Sequence, residues 1–184
     1  MCTIMCYTGT DMKHDKFAQA LQRTESRGPD MTEILTLPSG ILGFQRLSIM
    51  DLSFSGMQPY TRNTDASICN GELYGFREIK KDLMEKGHKF ISESDCEILL
   101  PMYYEYGLDM FSKLDAEFAI VIYDGKKDTF MAARDPIGIR PLFYGYSESG
   151  KIIFASEAKN LIGLTYKIIS FPPGHYYADG KFTC

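Results

Sequence analysis

The sequence predicts an α+β domain with two sheets inside and helices outside them. Three features of the 184-residue chain predict it. Short apolar runs of strand length gather toward both ends, helical patterns occupy the middle, and no repeat, low-complexity tract or linker divides the chain.

Residues 2–8 read as a buried strand, and residues 14–25 carry a helical pattern with Asp11 as a candidate N-cap. Residues 26–30 form a loop, because Gly28-Pro29 is strong punctuation. Strands are expected at 32–37 and 41–49, followed by a polar, proline-containing connection over 51–64. A strand at 66–69 runs directly into Asn70-Gly71-Glu72. Residues 76–86 form an amphipathic helix with Phe76, Ile79 and Leu83 on one face, ended by Gly87. Ser94 is placed to cap a second helix, whose first-turn Asp95 and Glu97 suit the positive end of the helix dipole. Pro101 inside that helix predicts a kink. Residues 117–124 and 129–133 flank Gly125-Lys126-Lys127-Asp128 as a hairpin. Strands at 142–146 and 151–155, a short helix at 157–162 and short strands at 167–171 and 176–178 complete the chain.

Composition narrows the function. Hydrophobic residues are 45% and charged residues 24%, which is ordinary for a globular protein and excludes extensive disorder. At this length the fold buries roughly 70% of the surface of the unfolded chain. The net charge of -4 offers no positive field for a phosphate backbone, so nucleic acid is not an expected partner. The longest apolar run, 118–123 (FAIVIY), is far short of the ~20 residues that span a bilayer, so no membrane association is expected either. The first ten residues lack the basic and apolar regions of a secretory leader. Five cysteines, an odd number without Cys-x-x-Cys, read as reduced thiols of a cytoplasmic protein. Three separated histidines (His14, His88, His175) signal no metal site, and no cofactor is expected in this chain.

Four positions carry candidate chemistry. Removal of Met1 ahead of a small residue leaves Cys2 with a thiol of reference pKa about 8.5 and an α-amine of about 7.7–8.0, a nucleophile and a base on one residue. Asn70-Gly71 is by itself a turn dipeptide, and a side-chain amide beside a glycine N–H is also what an oxyanion hole requires. Arg46, at a strand end, suits either a structural ion pair or a bidentate carboxylate clamp. Asp95 reads as a helix N-terminal acid or as the receptor of a substrate ammonium. Arg46 with Asp95 would recognise both ends of a free amino acid. The charged loops at 27–30 and 134–141 read as structural.

Order and spacing are more specific than any single residue. Met1-Cys2, RGPD (27–30), RLSIMD (46–51), MQPY (57–60), CNGELYGF (69–76), SDCEILL (94–100), LDAEFAIVIYD (114–124), ARDPIGIRPLFYG (133–145) and FASEAK (154–159) resemble, in this order, the N-terminal glutaminase domain of asparagine synthetases. These belong to the class II glutamine amidotransferases, with the N-terminal nucleophile hydrolase fold. The resemblance implies a four-layer αββα sandwich with two mainly antiparallel sheets and the cysteine at the end of a central strand. It implies Cys2 as nucleophile with its α-amine as base, and Asn70 and Gly71 as oxyanion hole. It implies Arg46 for the glutamine carboxylate, Asp95 with Glu72 for the ammonium, and backbone groups of Leu47, Ser48, Ile49 and Met50 lining the pocket. Arg27 and Asp30 match a supporting loop. Thr3, Glu33 and Gln45 depart from the family pattern.

Glutamine is the substrate so implied. The partner is a synthetase domain normally in the same chain, which alone would need ATP and Mg. Its Ser-Gly-Gly-x-Asp-Ser loop does not occur here, so the expectation is a single glutaminase domain over 1–184, with a homodimer left open. Two alternatives remain. One is the glutaminase domain of another class II amidotransferase, and the other is a silent binding domain of the same fold if Met1 is retained.

Overall fold

The computed structural model describes all residues, 1–184. In chain order the first half contains β1 (Thr3–Tyr7), α1 (His14–Gln22), β2 (Met31–Leu37), β3 (Gly40–Arg46), β4 (Tyr60–Arg62), β5 (Asp65–Leu73) and α2 (Phe76–Glu85). The second half contains α3 (Leu99–Tyr106), β6 (Ala116–Asp124), β7 (Thr129–Arg134), β8 (Phe143–Tyr146), β9 (Ile152–Ala155), α4 (Ala158–Leu161), β10 (Ile169–Ser170), β11 (Tyr176–Ala178) and β12 (Lys181–Thr183). Two six-stranded sheets result, ordered β10-β8-β9-β1-β3-β2 and β12-β11-β7-β6-β5-β4. Every strand pairing within them is antiparallel.

The sheets pack face to face, and a helical layer covers each outer face. Side-chain alternation explains the layering. On β1, Ile4 and Cys6 enter the core between the sheets, while Met5 and Tyr7 meet Phe17 and Leu21 of α1 and Leu161 of α4. On β6, Ala119, Val121 and Tyr123 face the other sheet, while Phe118, Ile120 and Ile122 pack with Phe76 and Leu83 of α2 and Leu99 and Met102 of α3. Strands buried on both faces need apolar residues at consecutive positions, which is why FAIVIY is unbroken. The expected four-layer sandwich is the observed fold, with β1 central in its sheet.

Several local expectations are corrected. Lys13, not Asp11, precedes α1 and makes no side-chain cap; Asp11 accepts a hydrogen bond from the Tyr7 hydroxyl instead. β3 ends at Arg46 rather than at residue 49, because 47–50 leave the sheet. Asn70-Gly71 is no hairpin turn but lies within β5, paired with Ala119 and Phe118. Ser94 precedes a 3-10 turn, Asp95–Ile98, without capping it, and the Asp95 carboxylate takes the Cys96 N–H at 2.9 Å. Pro101 falls in the first turn of α3, where that 3-10 turn passes into the helix and a missing N–H breaks no established ladder, so no kink is required. β4, inside the expected 51–64 connection, and β12 were not expected.

No helix is long and apolar enough to cross a membrane. All five cysteines are free.

One buried carboxylate fixes the loop after β7. Asp135 is 1% exposed and accepts N–H groups of Phe118 (3.3 Å), Ile137 (3.2 Å), Ile139 (2.9 Å) and Arg140 (3.0 Å). Leaving a buried donor unpaired costs about 1–3 kcal/mol. Asp135→Ala is therefore expected to lower the unfolding free energy by at least about 2 kcal/mol in urea titration. A midpoint unchanged from wild type would show that water replaces the carboxylate without cost.

Candidate active site

The edge of β5 decides the geometry. β4 pairs with β5 only at Asp65–Ser67, so the outer edge of β5 is uncovered beyond that point. Phe118 bonds Asp135 through both its N–H and its C=O, and so makes no ladder bond to its partner Gly71. In an antiparallel pair of that kind, the Gly71 backbone groups point away from β6, to the open edge. Cys69 and Leu73 share that orientation, and each is satisfied there. The Gln58 amide takes the Cys69 N–H (2.6 Å) and donates to its carbonyl (3.2 Å), and Asp95 Oδ2 takes the Leu73 N–H (2.8 Å). The Gly71 N–H between them faces a cavity of about 80 Å³. A side chain at 71 has no room, since a Cβ would sit 2.6 Å from the Glu117 carbonyl and 3.0 Å from Cys69 Sγ.

Across this cavity lies Cys2, one residue before β1. Its Sγ is 3.4 Å from the Leu47 nitrogen and 3.6 Å from the Leu47 carbonyl oxygen. Burial pushes the thiol pKa up, opposed by the Leu47 N–H and by the charges of the N-terminus and Arg46, while Cys69 adds to the rise. Cys2 therefore needs a base to become a thiolate at neutral pH. Asn70 projects from β5 toward Cys2. In the amide orientation that satisfies both of its polar atoms, Nδ2 donates to the Cys2 carbonyl (3.2 Å) and Oδ1 accepts from Arg27 Nη2 (3.3 Å). The second Nδ2 hydrogen remains for a ligand.

Arg46 is 3% exposed and lines the same cavity. Its Nη1 donates to Ser53 O (2.7 Å), and its Nη2 to Met50 O (3.3 Å) and Asp51 O. The guanidinium thus pins the 50–53 loop over the cavity, a use that strand-end position did not reveal. Gly56 lets it pass, because a Cβ there would strike Nη2. Asp51 fastens the loop's far side by accepting the Glu93 N–H at 2.8 Å. Asp95 also lines the cavity, and two backbone N–H groups occupy only part of its acceptor capacity.

Leu47, Ile49 and Met50 complete the wall on the Arg46 side. Ser48 and Glu72 are not brought in: the Ser48 N–H turns to Asp30 Oδ2 (2.7 Å), and Glu72 is exposed. Gly56 and Gln58, from the 51–64 connection, border the cavity, whereas residues 31–37 form the edge strand β2. Glu33 is exposed on β2, and buried Gln45 bonds Thr24, so neither departure from the family pattern reaches the cavity wall. Thr3, the third departure, is fully buried beside Cys2.

Four contributors were not read from the sequence as site residues. Gln58 and Cys96 sit within quoted motifs but carried no chemistry by themselves. Arg140, read as structural, lines the cavity with Nη2 on Glu117 Oε1 at 2.7 Å and Nη1 against the Met1 sulfur. Glu157 holds Arg27 at 3.0 Å; burial raises its pKa, but hydrogen bonds and charge from Lys159 and Arg27 outweigh this and keep the carboxyl below its ordinary range.

A wider hollow of about 420 Å³ lies beside Tyr7, Asp11, Lys16, Ser149 and Tyr166, where the Asp11 carboxylate takes the Tyr7 hydroxyl, but it holds no thiol. The smaller cavity holds the only such constellation of thiol, amide, cation and carboxylate. No group of three or more His, Cys, Asp or Glu side chains is placed to hold a metal ion.

A family model described as a glutamine amidotransferase domain matches residues 1–175. The chain belongs to this family. It is 42% identical over 161 residues to a probable glutamine-hydrolyzing asparagine synthetase of Dictyostelium discoideum, covering 85% of this chain and 28% of the relative. It is 40% identical over 186 residues to glutamine-hydrolyzing asparagine synthetase 2 of Oryza sativa subsp. japonica, covering 97% and 31%. The chain thus spans under a third of the length of these two relatives. The glutamine phosphoribosylpyrophosphate amidotransferase of B. subtilis, solved with ADP and GMP, superposes with a TM-score of 0.84 at 19% identity, covering 99% of this chain and 48% of that one. This likeness shows the fold of the amidotransferase domain.

At Gly71 the open edge of β5 leaves no room for a side chain. Gly71→Ala must push β6 or Cys69 aside, and overpacking of this kind costs about 1–3 kcal/mol. The expected outcome is a loss of that size in urea unfolding, and an unchanged midpoint would show that the strand shifts freely.

Proposed function

We propose that this chain hydrolyses the side-chain amide of glutamine to glutamate and ammonia, as the ammonia-supplying domain of a glutamine-hydrolysing asparagine synthetase. The observation that carries the reading is a thiol at the end of a central strand, facing a free glycine N–H and an asparagine amide across one cavity. The similarity to asparagine synthetases over 97% of the chain supports this acceptor branch over other amidotransferases.

The chemistry follows from these groups. With Met1 removed, the Cys2 α-amine takes the thiol proton, and the thiolate attacks the amide carbon of glutamine. Negative charge gathers on the amide oxygen, where the Gly71 N–H and the second Asn70 Nδ2 hydrogen stabilise it. The α-ammonium returns the proton to the leaving nitrogen, ammonia departs, and a γ-glutamyl thioester remains. A water, deprotonated by the same amine, then attacks the thioester and releases glutamate and the thiol. Hydrogens of Arg46 not used on loop carbonyls take the substrate carboxylate. The remaining lone pairs of Asp95 take its ammonium. The backbone at Leu47, Ile49 and Met50 encloses the substrate. ATP and Mg belong to the synthetase part of such enzymes, and no residue of this chain is assigned to hold them.

A second reading rests on Met1, whose sulfur lies against Arg140. If Met1 stays, the Cys2 nitrogen is an amide and cannot act as a base, and the domain is a silent binding module. Intact mass, with or without one methionine, separates the two.

In the processed protein, Cys2→Ala is expected to leave less than roughly a tenth of glutaminase activity, since the covalent route is lost. Asn70→Ala is expected to lower kcat about 10²–10³-fold with little change in KM. A pure KM effect would mean that Asn70 does not contact the developing anion.

Arg46→Ala and Asp95→Asn are expected to weaken glutamine binding by roughly 2–5 kcal/mol each, tens- to thousands-fold. On an amide substrate lacking the α-carboxylate, Asp95→Asn should lose as much as on glutamine, and Arg46→Ala only what unpinning the loop costs. Equal losses for Arg46→Ala on both substrates would reduce Arg46 to the loop-pinning role.

A further inference from the structure

Cys2 and Asn70 belong to different sheets, and one side chain touches both. Arg27 donates to the Cys2 carbonyl from Nε (3.3 Å) and Nη2 (3.1 Å), and its Nη2 also reaches Asn70 Oδ1 (3.3 Å). Arg27 sits on a three-residue 3-10 turn, Glu25–Arg27, and is held by Glu157 through Nη1 at 3.0 Å. The residue before Glu157 grips the same strand directly. Ser156 donates its N–H to the Ile4 carbonyl (3.0 Å), and its Oγ accepts the Ile4 N–H (2.9 Å). Glu157 also meets Lys159 at 3.1 Å.

We infer that Glu157 is a positioning residue: by holding Arg27 it fixes the Cys2 carbonyl and makes Asn70 present Nδ2, not Oδ1, to the cavity. The inference rests on the amide-hydrolysis reading above. The two faces of an asparagine amide are nearly isosteric, so packing alone does not choose between them. Hydrogen bonding does. A carbonyl only accepts and a guanidinium only donates, so the Cys2 carbonyl on Nδ2 (3.2 Å) and Arg27 on Oδ1 (3.3 Å) together select the orientation that turns the donor toward the forming anion, and Arg27 holds that carbonyl as well. Reversed, the amide would set a carbonyl oxygen against that anion. Arg27 holds this position because one nitrogen is tied to Glu157; without the carboxylate the long side chain has other rotamers and water to satisfy it. A merely structural pair, with side chains 14% and 29% exposed, would change stability when broken and leave the kinetics unchanged.

The test uses Glu157→Gln in the full chain, with Met1 removal verified by mass. Glutaminase kcat and KM are measured, together with alkylation of Cys2 by iodoacetamide, which needs the thiol but no oxyanion hole. The expected result is a fall in kcat of at least about ten-fold, with KM and alkylation rate within about two-fold of wild type. In an Asn70→Ala background the same change should add almost nothing, because its effect passes through Asn70. An unchanged kcat, or an equal fall in both backgrounds, overturns the inference while leaving the proposed reaction standing. A processed wild type that does not hydrolyse glutamine overturns both. Should Glu157→Gln fail to fold, Arg27→Lys, which keeps the charge and loses the fork, should show the same kcat loss and the same silence beside Asn70→Ala.

Discussion

An uncovered strand edge is the constraint on which this structure depends. Sheet edges expose unpaired backbone groups, and proteins cover them. Here the covering strand stops after three residues, and side chains continue its work. Gln58 closes the edge at Cys69 and Asp95 closes it at Leu73, leaving the N–H of Gly71 between them. That one open donor defines where an anion is stabilised. The glycine is required by the close approach of the Glu117 carbonyl, and the Arg46-pinned loop forms the roof.

The opposite wall gains its rigidity from position. β1 lies at the centre of a sheet whose two faces are both buried, so the strand bearing Cys2 has neighbours on every side. Its end would fray without further contacts. Ser156 holds Ile4, Arg27 holds the Cys2 carbonyl, and Leu47 brackets the sulfur. The Gly71 wall is also set from a distance. Asp135 ties up both backbone groups of Phe118, which is why Gly71 receives no partner from β6. The same carboxylate sets the loop that brings Arg140 to the cavity.

Physical reading of single residues succeeded where the turn chemistry is self-contained and failed where contacts formed only in the folded chain override it. Gly125-Lys126-Lys127-Asp128 makes the expected hairpin because its turn chemistry is self-contained, with Asp128 at positive φ. Asn70-Gly71 has the same turn propensity, yet lies within an extended strand, since β6 pairs with it from Ala116 onward. Asp11 has a capping side chain but a nearer hydroxyl, Tyr7, takes it. Arg46 read equally well as clamp or ion pair, and its loop carbonyls belong to neither reading. Glu72 matches a motif position but stays exposed, outside the cavity, one residue past Gly71 on β5.

The sequence by itself determined the layered α+β class, through apolar runs that demand burial on two faces, and it determined the family, through the order and spacing of its motifs. It also supplied the chemical identities of the site: a thiol beside the N-terminus, an amide, an arginine and a carboxylate. Only the tertiary structure decided which of these meet. Hydrogen bonds formed between residues far apart in the chain, such as Cys2 with Leu47 and Arg27 with Glu157, leave no periodic trace in a sequence. The direction of a backbone N–H depends on strand register, which is set by the partners of Phe118 and not by Gly71 itself.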